Sequence, residues 1–448
     1  MARPTPLSGF PEWLPAGRIV EQHVLDSLRR TFELHGFAPV ATRAVEPLED
    51  LLRKGETSKE VYTIQRLHDD AETAASRERQ LGLHFDLTVP LARYVLENAG
   101  QLAFPFRRYQ IQPVWRGERP QEGRFREFLQ ADIDVIGAQE LPFHFEVELP
   151  LVMAEALAAL PMGPVRISVN NRKVAEGFYR ALGLEDVDGV LRAIDKIDKI
   201  GPDAVAELLQ EQGATSLQAR ACLDLAAISG SDAGVADRVR ALGVRSDEME
   251  AGLAELVALL DGAAALGFGE AATFVADLKI ARGLDYYTGS VYETTLLGHE
   301  QLGSICSGGR YDSLASDGTR TYPGVGLSVG VSRLLARLLG AGLVEASRPV
   351  PTAVVVAVVD EERRADSNRI ATALRRRGIP TEVSPSAAKF GKQIRYADRR
   401  GVPFVWFPGA PGAPDQVKDI RSGEQHDADA ASWEPAAQDR WPQVQRLG

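Results

Sequence analysis

The stretch QIQPVWRGERPQEGRFREFLQADIDVI, residues 110–136, decides the fold. Two strand-like segments, Gln110–Arg116 and Phe125–Ile136, flank a loop rich in charge and turn residues, which predicts a long antiparallel hairpin. On its second strand Gln130, Asp132 and Asp134 alternate with Ala131, Ile133 and Val135, so period two puts three polar side chains on one face. Gln112 and Arg116 likewise share a face of the partner strand. A solvated face and the floor of a polar cleft both produce this pattern. Arg116, at the mouth of the loop, suits a phosphate, because a guanidinium matches phosphate oxygens in pairs. Arg119, Gln121, Arg124 and Arg126 are the local candidates for touching nucleic acid, against the alternative of a solvated loop.

Working outward, ARGLDYYTGSVYE at 281–293 packs Arg282, Asp285, Tyr286, Tyr287 and two glycines between strand-like segments. Polar groups concentrated there form either a preorganised pocket or a hairpin whose Arg and Asp pair with each other. Upstream, His84–Pro90 leads into a predicted helix from Leu91 to about Asn98. Asp86 and Thr88 point to one face if that segment is extended. A carboxylate beside a hydroxyl grips an ammonium group, although Thr88 is also a natural helix cap. Downstream, the paired glycines of 303–312 let backbone approach a ligand or simply turn. Gly324–Gly330 then reads as a small-residue strand entering a helix whose first turn carries Arg333. A cation there opposes the helix dipole unless an anion or a carboxylate faces it.

The remaining chain sets the frame. Arg18–His35 carries a helical apolar stripe ended by Gly36, Phe37–Val45 reads as a strand, and Glu46-Pro47-Leu48 opens a short helix. Residues 185–267 are rich in Ala, Leu, Glu and Asp, lack aromatic residues, and read as a helical insertion. Beyond a linker, strands and helices alternate from Ala353 to Phe407, which predicts a small α/β domain with a mostly parallel sheet. Its helices are basic at Arg375–Arg377 and at Lys389, Lys392, Arg395, Arg399 and Arg400, either an RNA footprint or a solvated face. His426–Gly448 reads as a loose tail. A net charge of −11 argues against a generic nucleic-acid binder but leaves room for a local basic patch. Cys222 and Cys306 supply neither a disulfide framework nor metal-ligand spacing. The longest apolar run, Ala353–Val359, is too short for a bilayer. The expected setting is therefore a reducing cytoplasm, with no membrane association.

Several segments, in order, resemble histidyl-tRNA synthetases, a family of class II aminoacyl-tRNA synthetases. RGLDYYTG resembles the family's histidine signature, VWRGERPQEGRFREFLQADIDVIG its second class II motif, and GVGLSVGVSRLLARL the third. Glu46-Pro47 resembles the end of the first motif, HFDLTVPLARY the amino-group segment, and KFGKQIRYADRRGVPFVWF the anticodon-binding domain. Trp115 and Gly117 depart from many members, and Asp86 and Asp134 stand where the common bacterial form has glutamates.

The resemblance implies an α+β class II catalytic domain, an antiparallel sheet flanked by helices, over residues 1–340 with the insertion at 185–267. A linker at 341–352 and an anticodon-binding α/β domain at 353–448 would follow. It implies the ligation of L-histidine to histidine tRNA with ATP as substrate and Mg2+ as companion, in a homodimer. Histidine-binding positions would be Asp86, Leu87, Thr88, Arg116, Gln130, Asp134, Arg282, Tyr286, Tyr287 and Tyr311. Asp86, Thr88 and Gln130 would hold the ammonium group, while Asp134 and Tyr287, with Tyr311, would read the imidazole. Arg116 and Arg282 would be catalytic at the α-phosphate, Arg333 would hold the ATP tail, and Gln121 and Arg124 would meet the tRNA acceptor end. The alternative is a catalytically inactive, histidine-sensing regulatory subunit of ATP phosphoribosyltransferase. Such paralogues lack the anticodon-binding domain, which this chain has by resemblance.

Overall fold

The hairpin forms as its periodicity requires, from β2 (Phe106–Trp115) and β3 (Glu127–Ile136), paired antiparallel with Gln112 opposite Gln130 and Gln110 opposite Asp132. The computed structural model describes residues 5–52, 60–67, 80–120, 123–281 and 286–447. The hairpin belongs to a nine-stranded sheet that also contains β1 (Ala38–Pro39), β4 (Val165–Asn171), β5 (Ser229–Gly230), β6 (Ala272–Asp277), β7 (Ser290–Leu296), β8 (Cys306–Tyr311) and β9 (Gly324–Gly330). Its spatial order is β1-β2-β3-β9-β8-β7-β4-β6-β5.

The expected antiparallel sheet is mixed at its margins. β1 runs parallel to β2 and β4 parallel to β6, while the strands between β2 and β4 in the sheet are all antiparallel. A parallel pair needs a long crossover, and residues 172–271 supply it. The strand expected over Phe37–Val45 breaks up. Pro39 removes a ladder donor, the Thr42 amide donates to Gln112 Oε1 at 3.0 Å, and Val45–Pro47 joins a separate three-stranded sheet. Leu48–Leu51 is the short helix expected after Pro47.

Helices cover the sheet. α1 (Pro15–Leu34) precedes it, and α2 (Thr88–Asn98) begins three residues earlier than its apolar pattern suggests. α3 (His144–Ala158) contacts β9 and buries Leu149, Val152, Met153 and Ala156, each worth roughly 1–3 kcal/mol of apolar transfer. The insertion is helical as expected, and it ends in α5 (Asp247–Leu266), capped by Ser246 at its start and by Gly267 in the left-handed region at its end. This helix lies close against α4 (Arg172–Ala181): a Cβ on Gly177 would come within 2.5 Å of the Met249 amide, and one on Gly252 within 2.7 Å of the Val174 amide. α6 (Val331–Gly340) leaves β9 directly.

The chain divides into two compact units, Met1–Pro11 with Leu25–Arg337 and Glu12–Val24 with Leu338–Gly448. In the second, β10 (Val354–Val356), β11 (Thr381–Val383) and β12 (Phe404–Phe407) pair in parallel. β13 (Asp415–Asp419) and β14 (Gln425–Ala428) then add antiparallel, so the sheet is only partly parallel. α7 (Arg364–Arg376) and α8 (Phe390–Arg399) are the helices of this unit expected from its sequence. The presumed loose tail is structured. Trp433 packs edge-on against Phe404 and Trp406, and Val444–Arg446 pairs with Val344–Ala346, so aromatic burial and strand pairing hold a segment whose composition looks like a tail. Among the described residues, no helix is long and apolar enough to cross a membrane.

Candidate active site

The polar face of β3 is buried, not solvated: Gln130, Asp132 and Asp134 are each less than 5% exposed. Strand register sets their neighbours. Arg108, Asp134 and Gly326 lie in one row across β2, β3 and β9, and Gln110, Asp132 and Ser328 lie in the next. Side chains in that face need space, and glycine supplies it. A Cβ on Gly326 would sit 2.0 Å from Asp134 Oδ1, and one on Gly324 would sit 2.5 Å from the Tyr311 ring. A Cβ on Gly309 would meet Tyr287 Cγ at 2.9 Å. The glycines of β8 and β9 therefore hollow out a cradle within the sheet.

Asp134 is held from both sides. Arg108 Nη2 lies 2.6 Å from its Oδ2, and the Tyr311 hydroxyl donates to its Oδ1 at 2.8 Å. Arg108 is fully buried and also donates to Gln110 Oε1 at 3.1 Å and to the Leu87 carbonyl at 3.4 Å. A buried ion pair contributes little net stability, and breaking it is costly, so the arrangement fixes an acceptor in place. Asp132 has a weaker counter-charge. Burial, reinforced by Asp134 and opposed by Arg108, pushes its carboxyl up to about 6.

Two adjoining cavities share Ser307 and Ser328 in their lining. The smaller, about 20 Å³, is lined by Thr88, Asp132, Asp134, Tyr286, Tyr287 and Tyr311. The larger, about 250 Å³, is lined by Arg116, Glu118, Arg124, Gln130 and Arg333 among others. Arg116 is positioned by hydrogen bonds and by stacking. Its Nε donates to the Phe85 carbonyl at 2.9 Å, its Nη2 donates to Gln130 Oε1 at 3.2 Å, and its guanidinium stacks over Phe128 at 5.1 Å. Arg333 Nη1 donates to the Ser304 carbonyl at 2.8 Å. Arg116 Nη1 also lies 3.9 Å from Glu118 Oε1, and the guanidiniums of Arg116 and Arg333 both line the larger cavity, where an anion would meet them.

Asp86 behaves differently from the expectation that Thr88 is the cap. Asp86 Oδ1 accepts from the Val89 amide at 3.1 Å, so Asp86, one residue before the N-cap Leu87, satisfies a first-turn amide of α2, while Thr88 is the first residue of the helix and lines the small cavity. A carboxylate matches the positive helix end better than a hydroxyl does. The Asp86 charge still acts on Tyr286. Leu87 is fully buried and contributes its carbonyl. Tyr286 and Tyr287 lie with ring centroids 4.3 Å apart. Arg282, together with the whole of 282–285, and Gln121 lie outside the described residues.

Behind the tyrosines, a network fixes the following turn. Arg310 donates to Glu146 Oε1 at 2.8 Å and to Asp312 Oδ1 at 3.0 Å. Glu146 Oε2 accepts from the Ser290 amide at 3.0 Å, and Thr288 donates to Asp312 at 2.5 Å. Sequence reasoning missed Arg108, Ser307, Ser328 and this network. The period-two run Arg108-Gln110-Gln112 was the available signal for Arg108.

The basic candidates separate into tied and exposed groups. Arg119 and Arg124 are exposed on the loop, with Arg124 Nη1 3.6 Å from Glu118 Oε2, while Arg126 donates to the Glu118 carbonyl at 3.4 Å. In the second unit, Arg375, Arg377 and Arg400 bond to nearby carbonyls and carboxylates. Lys389, Lys392, Arg395 and Arg399 remain exposed along α8. Among the described residues, no group of three or more His, Cys, Asp or Glu side chains is placed to hold a metal ion.

Residues 9–334 match the family described as histidyl-tRNA synthetase, and residues 353–430 match the anticodon binding domain. The chain is 62% identical to a histidine–tRNA ligase of Micrococcus luteus, over 100% of this chain and 99% of that protein. It is 59% identical to one from Cutibacterium acnes over 99% of each. The crystal structure of histidyl-tRNA synthetase from Nostoc sp. PCC 7120 superposes with a TM-score of 0.84 at 36% identity, covering 96% of this chain and 98% of that one.

Proposed function

Because the chain belongs to the histidyl-tRNA synthetase family, we propose that it is a histidine–tRNA ligase, joining L-histidine to ATP as histidyl-adenylate and then passing the histidine to the 3′ end of histidine tRNA. The observation that carries this reading is Asp134, buried between Arg108 and Tyr311 in a cavity that adjoins a larger one lined by Arg116 and Arg333. An imidazole N–H can donate to such a carboxylate. A side chain without that donor leaves it unpaired, a penalty that gives sites of this kind about 10⁴-fold discrimination.

In the reaction, the histidine carboxylate attacks the α-phosphorus of ATP and pyrophosphate leaves. Thr88 and Gln130 hold the ammonium end, and Asp134, Tyr287 and Tyr311 hold the imidazole. Arg116 then lies beside Gln130 where the carboxylate meets the phosphate, and Arg333 takes the ATP tail. No covalent enzyme intermediate is needed, so positioning and charge stabilisation carry the step. Arg282 is assigned to the α-phosphate by its place in the RGLDYY signature. The ribose hydroxyl at the tRNA end next attacks the adenylate carbonyl and AMP leaves. Mg2+, when bound with ATP, would supply countercharge to the phosphates. Glu118, the single carboxylate among the described lining residues of the larger cavity, is the side chain there that would reach such an ion.

The same reading assigns residues 1–340 to catalysis with 185–267 as its insertion, 341–352 to the linker and 353–448 to anticodon binding. Gln121, Arg119 and Arg124 are assigned to the acceptor end, and the working form to a cytoplasmic homodimer. The regulatory-subunit alternative has less support. A protein of Bacillus halodurans described as an ATP phosphoribosyltransferase regulatory subunit/histidyl-tRNA synthetase shares the fold, with a TM-score of 0.73, but only 19% of the sequence. ATP–pyrophosphate exchange across the twenty amino acids tests the proposal. Exchange with histidine alone is expected, and histidine binding without exchange would return the regulatory reading.

A further inference from the structure

We propose that Asp132 is a further ligand of the amino acid, taking the α-ammonium group of histidine while Asp134 serves the imidazole. This rests on the histidine reading above. Asp132 is buried, lines the small cavity and lies between Gln130 and Asp134 on one face of β3. Its cross-strand neighbours are neutral, Gln110 on β2 and Ser328 on β9. Gln130 Nε2 donates to Asp132 Oδ1 at 3.3 Å and to Ser328 Oγ at 2.8 Å, which orients the carboxylate without neutralising it. The buried cation of this face, Arg108, is engaged at 2.6 Å by Asp134. Two carboxylates thus share one arginine among the described residues of the face. Of the other ionisable groups acting here, Cys306 on β8, Tyr286, Tyr311 and Asp86 bring no positive charge, while Arg116, which acts on Tyr286, is held at the larger cavity by the Phe85 carbonyl and Gln130 Oε1. An ammonium group supplies the positive charge.

Direction along the strand selects which end of the ligand Asp132 meets. Asp134 is enclosed by Tyr311, whereas Gln130 lies on the larger cavity beside Arg116, where the histidine carboxylate must reach a phosphate. Alternate strand residues are roughly 7 Å apart, the scale of one amino acid. The α-carbon, between imidazole and carboxylate, therefore comes to rest beside Asp132.

Two probes measured on the full-length protein test this. Histidinol keeps the ammonium group and loses the carboxylate; imidazole-4-propionate keeps imidazole and carboxylate and loses the amino group. Asp132→Asn is expected to weaken histidinol roughly 10–100-fold and to raise the KM for histidine by a similar factor. The kcat of exchange and the affinity for imidazole-4-propionate should stay within about threefold, a difference of well under 1 kcal/mol. Equal losses for both probes would assign Asp132 to the imidazole or to packing and overturn the proposal, and so would no loss for either. If Asp132→Asn does not fold, the smaller Asp132→Ser must give the same split between probes. Failure of the wild-type protein to bind histidinol or histidine would instead sink the histidine reading itself.

Discussion

The two largest sheets of this chain treat their interiors in opposite ways. In the C-terminal unit β10 and β12 bury Val354, Val355, Val356, Phe404, Val405 and Trp406, and neither strand carries a charged residue. In the catalytic unit β2 and β3 bury Arg108, Asp132 and Asp134, with glycines of the neighbouring strands where side chains would otherwise pack. The first arrangement is what stability alone favours. The second gives up apolar burial and accepts desolvation of charge, so it is expected only where a ligand must be read.

Substitutions can break or sharpen that contrast. The largest effect is expected from Arg108→Met, which leaves Asp134 buried without its cation and should cost about 3–5 kcal/mol in thermal or denaturant unfolding. Replacing both Arg108 and Asp134 by apolar residues should recover much of that stability and still abolish histidine-dependent exchange. Should the double variant be as unstable as the single one, the pair is structural and the contrast fails. Next comes Arg116→Ala, expected to lower kcat/KM of exchange by about 10²–10³-fold, as for other preorganised charge stabilisers, with unfolding midpoints nearly unchanged. A matching loss of stability would mean that its bonds to Phe85 and Gln130 are its main work.

Asp132→Asn has a smaller effect with a definite sign. In the unfolded chain this carboxyl titrates near 4, and in the fold burial raises it to about 6. Below about pH 4 both states are protonated and the variant gains nothing. Above about pH 6 the unliganded protein carries a buried ionised carboxylate, a penalty of up to about 3 kcal/mol that asparagine removes. Unfolding from pH 4 to 8 should therefore show a stabilisation that grows with pH, and a flat or inverted profile would contradict it. The smallest effect belongs to the other unit. Lys392→Ala, on the exposed face of α8, should weaken tRNA binding only a few-fold and reduce its salt dependence by about one charge, with exchange unaffected. Altered exchange with unchanged tRNA affinity would remove α8 from the RNA face.

Much of the catalytic sheet was legible because alternation is a strong signal. Gln130, Asp132 and Asp134 share a face in any extended strand, and the glycines of 324–330 announce a strand that must leave room. What alternation leaves open is whether a polar face meets water or a pocket, since the neighbours that decide it arrive from β9 and β8, far along the chain. Arg108 was missed for a related reason. Beside Arg107 it looks like half of a surface pair, yet period two sends Arg107 to Glu148 and Arg108 into the sheet. The Asp86 bond to the first turn was hidden because Asp86 and Thr88 are both natural caps and only the backbone path chooses between them. In the C-terminal segment, short polar strands and one tryptophan carry too little periodicity to stand out, and their order comes from what they pack against.

The long crossover between β4 and β6 also governs when the chain can fold during its synthesis. β4 ends at Asn171 and both of its partners, β6 and β7, begin at Ala272 or later. A ribosome adding roughly 5–20 residues per second needs several seconds to deliver the intervening hundred or so residues. For that interval Ile167 and Val169 have no sheet to join, and the nascent strand is open to wrong partners. Helix α5 emerges just before β6, and its close seat against α4 through Gly177 and Gly252 gives β4 a folded neighbour at the moment its pairing strands arrive.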